Sequence, residues 1–399
     1  MSPAVTPEEL VDVAVIGAGS VGSMALWHLS KVPGLSVLGI EQYGRAHGLG
    51  SFAGESRLFR MAYKEGELYL PLLTDARRQW LELEKEADTQ IMLQVGALSI
   101  GTETQPEMIA TRGTIDTFGL PHRYLDTEEL RKGFPQHDVH NGDVGILDPC
   151  GAGLRPEVAV LSALRLAEAN GVRMLYRSAV ETVEPGDNGV TIRTARDVVR
   201  ARTAIVTTGS WATDLLPGVR DLVHVQRLAL SWFMPTDISR YLPDQFPVFM
   251  RDIGDVHFFG APSLDGYSVK VSPGHLDLPT APTLAELPDL PNDFAPRLAA
   301  QVTDFFPDMN PEPVRLTAHH EMFTADRVPI VDRDSTGSVV AVAGLSGHGF
   351  KLAPTFGRIA RDLAVDGTSE LCPREFTLAA HQERAALRPW RGGQSQHIS

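Results

Sequence analysis

Asp12-Val13-Ala14-Val15-Ile16-Gly17-Ala18-Gly19-Ser20-Val21-Gly22 is the stretch that decides the fold. Residues 12 to 16 form an almost unbroken apolar run, the pattern of a parallel strand buried on both faces. The three glycines that follow stand at the spacing of a dinucleotide-binding turn. Gly17 permits the tight turn, Gly19 lets the backbone approach a pyrophosphate, and Gly22 lets the next helix, expected over about residues 20 to 31, pack against the strand. The helix N-terminus supplies unpaired N–H groups and the positive end of a dipole to that pyrophosphate. A second apolar run, Ser36-Val37-Leu38-Gly39-Ile40, ends in Glu41. That is about 20 residues beyond the last glycine, where a carboxylate accepts hydrogen bonds from both ribose hydroxyls and disfavours a 2′-phosphate. FAD or NAD is therefore expected rather than NADP. A glycine triplet alone carries little; strand, spacing, helix and acidic terminus together carry the reading. At the far end of the chain Gly344-Leu345-Ser346-Gly347-His348-Gly349-Phe350-Lys351 again reads as a strand running into a glycine-rich turn and a helix, as if both segments served one cofactor.

Working outward, 399 residues exceed the usual size of one domain, and two domains sharing a large core are expected. Thirty-six basic against 50 acidic residues leave a net charge of −14, which argues against a nucleic-acid surface. No apolar run reaches the roughly 18 residues of a membrane helix. The stretch Met1 to Glu9 lacks the basic and apolar regions of a secretory signal, and only Cys150 and Cys372 are present, so a reducing cytoplasm is expected and a disulfide framework is not. No Cys/His set has zinc spacing, and the consecutive His319 and His320 point apart on any regular element; no metal site is expected.

The organisation reads as discontinuous. Leu72, Leu73, Ala76, Trp80 and Leu83 share one stripe of a helix within residues 66 to 87, a packing face. A helix from about Pro156 to Asn170 precedes the strand-like Arg173-Met174-Leu175-Tyr176, alternating patterns at Val180 to Val183 and Val190 to Ile192, and a strand ending at Gly209. Between about 222 and 316 aromatic strands are interrupted by prolines, with Pro279, Pro282, Pro288, Pro291 and Pro296 crowding one connection. That middle portion is the candidate substrate domain, and Arg388 to Gln396 reads as a loose tail.

Several separated segments carry a family resemblance: Gly50-Ser51-Phe52-Ala53-Gly54-Glu55-Ser56-Arg57-Leu58-Phe59-Arg60-Met61-Ala62-Tyr63, Thr208-Gly209-Ser210-Trp211, Gly266-Tyr267-Ser268-Val269-Lys270 and Gly344 to Lys351. They resemble, in the same order, the monomeric sarcosine oxidase and N-methyltryptophan oxidase family. The resemblance implies an α/β fold with a Rossmann-like FAD-binding domain and an interleaved antiparallel-sheet substrate domain, of the glutathione-reductase-2 type. It places the FAD-binding part at residues 10–90, 150–220 and 317–385, the substrate part at 91–149 and 221–316, and a tail at 386–399. It implies cofactor contacts at Gly17, Gly19, Val21, Gly22, Glu41, Gly50, Ser51, Ser56, Arg57, Leu58, Val180, Gly209, Trp211, Gly347, Gly349, Phe350 and Lys351.

The same resemblance implies that Arg60 and Lys351 hold a substrate carboxylate, the one as a guanidinium fork and the other as a point charge. Lys270 corresponds to the lysine that promotes reaction of reduced flavin with oxygen, and Arg57 to a cation on the opposite flavin face. Ala53, Met250, Phe259, His319, Glu321 and His348 correspond to the substrate pocket. Departures from the pattern matter for the chemistry. The relatives bond a cysteine to the flavin 8α-methyl; His319 stands there, so FAD is expected to bind without a covalent bond, a histidyl link through His319 or His320 being the alternative. Phe259 replaces a tyrosine, Ala53 a histidine and Glu321 a tyrosine, and a carboxylate at 321 would attract a second ammonium group on a substrate. The implied activity is oxidation of the C–N bond of a small-molecule amine or amino acid that carries a carboxylate, giving an imine and, with molecular oxygen, hydrogen peroxide. A flavin dehydrogenase, a glycine or D-amino-acid oxidase, an NAD-dependent dehydrogenase and a non-catalytic nucleotide-binding protein are the readings to be distinguished from it.

Overall fold

The computed structural model describes residues 10–254, 256–274 and 276–387. The expected tail lies, from residue 388 on, outside the described residues, as does the N-terminal stretch up to residue 9. The decisive apolar run is the strand Leu10–Ile16, and it pairs in parallel with Val37–Glu41 on one side and Val198–Val206 on the other. Its lack of alternation has a direct cause. Val13 and Val15 belong to a core shared with helices on one face, while Val11, Ala14 and Ile16 belong to a second core on the other. Arg173–Tyr176 extends the sheet in parallel beyond Val37–Glu41, and Val339–Ala343 joins Val198–Val206 in parallel. Gly189–Thr194, Val180–Gly186 and Ile330–Arg333 complete it as antiparallel additions.

The helix Ser20–Leu29 follows the glycine turn and ends two residues before the expected position. It packs against Ala353–Val365 and Pro156–Ala169. The expected stripe on the helix Leu70–Ala87 is buried throughout. Trp80 on that stripe stacks on Phe350 with ring centres 5.4 Å apart, and its indole N–H donates to the Lys351 carbonyl at 3.0 Å. A core helix thus fixes the backbone of the closing motif.

A second sheet is built around the long strands Val223–Phe233 and Arg315–Thr324, paired antiparallel over ten residues. From Val223–Phe233 it continues through Val269–Pro273, Val256–Ala261 and Val248–Ile253 to Ala97–Thr102, Asp143–Asp148 and Arg123–Leu125. One pair departs from the antiparallel expectation: Val248–Ile253 runs parallel to Ala97–Thr102. Arg315–Thr324 belongs to this second sheet, whereas the expected boundary at 317 would cut the strand and assign Thr317 to Thr324 to the nucleotide-binding part. Phe233, Phe249, Phe258, Val269 and Val271 turn one face toward an aromatic core closed by the helix Phe294–Phe305. Strand alternation then puts Trp232, Met250, Phe259 and Lys270 on the opposite face. No helix among the described residues is long and apolar enough to cross a membrane.

Candidate active site

The glycine turn makes a cradle that a larger side chain would close. Gly17 has φ +86°, and a Cβ there would stand 2.8 Å from the Thr207 carbonyl oxygen; a Cβ on Gly22 would fall inside the Gly17 carbonyl. Thr207 Oγ donates to the Gly17 and Ile16 carbonyls at 2.7 and 3.1 Å, tying the turn to the neighbouring strand. Gly19, at the N-cap of Ser20–Leu29, brings no side-chain cap, so the first turn's N–H groups face a cleft of about 230 Å³. Glu41 is buried on the wall of that cleft and accepts from Ala18 N at 2.9 Å and Tyr43 N at 2.8 Å. Oε1 also lies 3.3 Å from His47 Nε2, so the lone pair left for a ribose is on Oε2. Gly50, Ser51, Val180, Gly209 and Trp211 line the same cleft, and Thr208 Oγ is buried there without a hydrogen-bond partner. Replacing Gly22 by Ala is expected to cost on the order of 1–3 kcal/mol through overpacking and to lower cofactor content, which thermal unfolding and the visible spectrum of the purified protein would measure.

A cluster of buried cations and aromatic groups forms where the closing motif meets the segment Arg57 to Tyr63. Lys351 Nζ donates to the Gly347 carbonyl at 3.1 Å and to Tyr63 Oη at 3.2 Å. Tyr63 Oη in turn is bonded to His348 Nδ1. The Arg60 guanidinium is buried and lies 5.1 Å from the Tyr63 ring centre. Burial, aided by Arg60, pulls the Lys351 ammonium down to about 8, while Glu65 and Glu321 oppose the shift. Burial and the surrounding cations hold His348 well below its ordinary range, so its imidazole is neutral. Burial raises the Glu321 carboxyl, opposed chiefly by the Gly347 N–H that donates to its Oε1 at 2.8 Å.

The second group of cations sits on the 51–57 segment. Lys270 reaches from the second sheet and donates to the carbonyls of Gly54 and Ser56 at 3.0 and 2.8 Å. Arg57 donates to the carbonyls of Ser56, Ala53 and Ser51 at 2.7, 2.6 and 2.8 Å. Burial lowers Arg57 to about 10 and carries Lys270 well below the usual lysine range, with Arg57 adding to the latter. Ala53, Gly54, Trp232 and His319 border a separate cavity of about 540 Å³.

The remaining expected residues distribute as follows. Met250 and Phe259 are direct cross-strand partners on the sheet face that also carries Lys270. His319 and His320 diverge as strand neighbours must. His319 Nε2 lies 3.0 Å from Thr317 Oγ, whereas the His320 ring meets Trp211 edge-on at 4.8 Å. Burial takes both imidazoles down to about 4. Gly347 and Gly349 flank His348 in the closing turn, and Val21 is buried in the first helical turn. Ser56 presents its carbonyl to Lys270 and Arg57, and the Leu58 side chain packs toward Val248 and Ala261 rather than into either cavity. The sequence motifs gave no role to Tyr63, Glu157 or the Asp252–His257 pair, which is bonded through His257 Nδ1 two rungs along the ladder from Met250 and Phe259. Asp252 at a ladder position facing a histidine was the available signal for the last of these.

The family profile described as "FAD dependent oxidoreductase" matches residues 12–363. The chain belongs to this family. It is 29% identical over 366 residues to monomeric sarcosine oxidase of Streptomyces avermitilis, covering 90% of this chain and 94% of that protein. It is 30% identical over 378 residues to N-methyl-L-tryptophan oxidase of Salmonella typhimurium, covering 92% and 98%. Among solved structures, NikD, described as an unusual amino acid oxidase essential for nikkomycin biosynthesis, superposes with a TM-score of 0.82 at 22% identity, over 92% of this chain and 97% of that one, and shows a shared fold.

This FAD-dependent oxidoreductase has a cleft that fits its cofactor on structural grounds. Glycine positions that exclude a Cβ, an uncapped helix N-terminus, a buried acid at the end of the second strand and an unpartnered Thr208 hydroxyl are what an adenosine diphosphate moiety requires.

Proposed function

We propose that the protein oxidises the C–N bond of an amine or amino acid bearing a carboxylate, with N-methyl amino acids the leading class, and passes the electrons to molecular oxygen. The observation that carries this reading is the burial of Arg60 and Lys351 beside Tyr63, two cations with no carboxylate hydrogen-bonded or ion-paired to either among the described residues. A buried charge is costly unless paired, and a substrate carboxylate is the partner that such a pocket selects. Its relatives' names, sarcosine oxidase and N-methyl-L-tryptophan oxidase, support the amine as the group that reacts.

When bound, FAD would supply the two-electron oxidant for a carbon bonded to the amine nitrogen, giving an imine that water hydrolyses. The protein's part is orientation and charge. Arg60 and Lys351 fix the carboxylate, and Tyr63 holds Lys351 by accepting one of its N–H bonds while donating to the neutral His348. The cationic surroundings disfavour an incoming ammonium and so favour the neutral, reactive amine. Lys270 and Arg57 supply fixed positive charge on the 51–57 side, suited to stabilise negative charge as it develops in the reduced cofactor and in oxygen. The cofactor contacts proposed along the glycine turns and the residue ranges assigned to the two domains belong to this reading, with Arg315–Thr324 shared between them. The free thiols of Cys150 and Cys372 fit a cytoplasmic setting.

Non-covalent FAD is part of the proposal. His319, in place of a cysteine, is engaged with Thr317. Acid precipitation is expected to leave the yellow colour in the supernatant; colour retained in the pellet contradicts it. Glu321, facing Gly347 and the Lys351 ammonium, is proposed to favour substrates with a second, distal ammonium. Glu321→Gln is expected to weaken binding of a basic amino acid by about fivefold to tenfold relative to its neutral analogue, on the scale of one charge-assisted contact. Equal affinities in wild type and variant would remove the idea. The test of the overall function is anaerobic mixing with secondary and primary amino acids while following flavin absorbance.

A further inference from the structure

Gly54 and Glu55 are consecutive residues with positive φ, 114° and 71°. The second is a conformation that a residue with a side chain adopts only when its surroundings hold it there. Their N–H groups converge on one carboxylate. Glu157 Oε1 accepts from Gly54 N at 2.7 Å and from Glu55 N at 3.2 Å, and Oε2 lies 3.3 Å from Glu55 N. Successive N–H groups in such a turn form a concave anion site, here filled by the protein's own side chain. The carbonyls of the same segment serve the cations: Gly54 and Ser56 accept from Lys270, and Ser51, Ala53 and Ser56 accept from Arg57. One loop is therefore clamped between a carboxylate on its N–H groups and two cations on its carbonyls.

The charged groups that face Lys270 come from every neighbouring element. Arg57 and Arg315 share its sign, Glu55 and Glu157 oppose it, His319 lies within electrostatic range, and the Trp232 ring centre is 5.3 Å from its ammonium. Glu55 is already paired with Arg315, whose guanidinium lies 3.7 Å from the centre of the Trp232 ring. Glu157 has no ion-pair partner among the described residues, so its charge is available to the Lys270–Arg57 pair.

Resting on the oxidase reading, we infer that Glu157 is a positioning residue for Lys270: its carboxylate holds the 53–56 segment in the shape whose carbonyls orient the Lys270 side chain for the reaction of reduced flavin with oxygen, and it sets a negative charge against the Lys270–Arg57 pair.

Two substitutions separate the parts of this role. Glu157→Gln keeps an oxygen to accept from Gly54 but removes the charge, and Glu157→Ala removes both. In the flavin-loaded Glu157→Gln protein the alkaline limb of the pH profile for reoxidation by oxygen is expected to move down by about one pH unit, the scale of losing one opposite charge nearby. Lys270→Met is expected to abolish the limb, and the double variant to show no further change. In Glu157→Ala protein freed of flavin, amide hydrogen exchange at Gly54 and Glu55 is expected to quicken by about tenfold, the scale of a lost hydrogen bond to a charged acceptor. An unmoved limb in Glu157→Gln overturns the inference. If the wild-type flavin is reduced by no amine, or is not reoxidised by oxygen, the oxidase reading fails by itself. The exchange measurement still decides the clamp in that case: faster exchange upholds it, and unchanged exchange overturns it.

Discussion

Replacing Lys270 by Met is expected to slow reoxidation of the reduced enzyme by oxygen by about 10²–10³-fold, the range for removing one preorganised electrostatic donor, while anaerobic bleaching of the flavin by substrate falls far less. The reason is positional. Lys270 reaches from the second sheet and is fixed by the Gly54 and Ser56 carbonyls, which use two of its three N–H bonds. The third remains for the reacting side. Its burial makes the charge strong, because little water screens it. Methionine keeps much of the side-chain volume and apolar stem, so the loss reports the ammonium rather than a cavity. Stopped-flow mixing of substrate-reduced protein with aerated buffer gives the oxidative rate, and anaerobic mixing with substrate gives the reductive one. A variant slowed equally in both would place Lys270 in substrate handling instead.

Lys351→Met is expected to raise KM for the amino-acid substrate by about 30-fold or more, since truncating one partner of a buried charge pair costs about 2–5 kcal/mol. Arg60→Met is expected to do the same, and the double variant less than the sum, because both charges serve one carboxylate. The pH dependence gives an independent check. With its folded value pulled down to about 8, Lys351 is charged below that pH and loses its proton as pH rises through it. Carboxylate recognition is therefore present below about pH 8 and fades above it. The limb belongs in kcat/KM, which reports groups of the free enzyme, and less in kcat, because a bound carboxylate favours the ammonium form. Steady-state kinetics between pH 6 and 10 should show that limb in the wild type and not in Lys351→Met. An identical limb in the variant would mean that another group titrates.

The parts of this protein most legible from sequence are those whose determinants are local. The strand Leu10–Ile16, its turn and the acid at Glu41 lie within one βαβ unit, and each residue type there is dictated by backbone geometry. The stripe from Leu72 to Leu83 was readable because helical periodicity is a property of neighbours. What composition and periodicity did not contain is what depends on distant segments meeting. Tyr63 acquires its role only because His348 and Lys351 arrive beside it from the other end of the chain. Glu157 reads as an ordinary first-turn acid until the 54–55 turn is folded onto it. The parallel pairing of Val248–Ile253 with Ala97–Thr102 and the placement of Arg315–Thr324 in the second sheet are likewise long-range outcomes. The positions of His319 and Glu321 came from resemblance alone. Strand alternation accounts for both: His319 and Glu321 share one face, and His320, between them, turns to Trp211.

The central claim is that a carboxylate-bearing amine reduces the flavin of this protein and that oxygen reoxidises it. Purified yellow protein should be mixed without oxygen with a panel of N-methyl, cyclic and primary amino acids, alongside the matching amines that lack the carboxylate, and its visible absorbance followed. Bleaching is expected with at least one carboxylate-bearing member and much more weakly with its decarboxylated analogue, and colour should return with formation of hydrogen peroxide on admitting air. Equal bleaching by the analogue, or no bleaching by any amino acid from a flavin that dithionite reduces readily, would contradict the central claim.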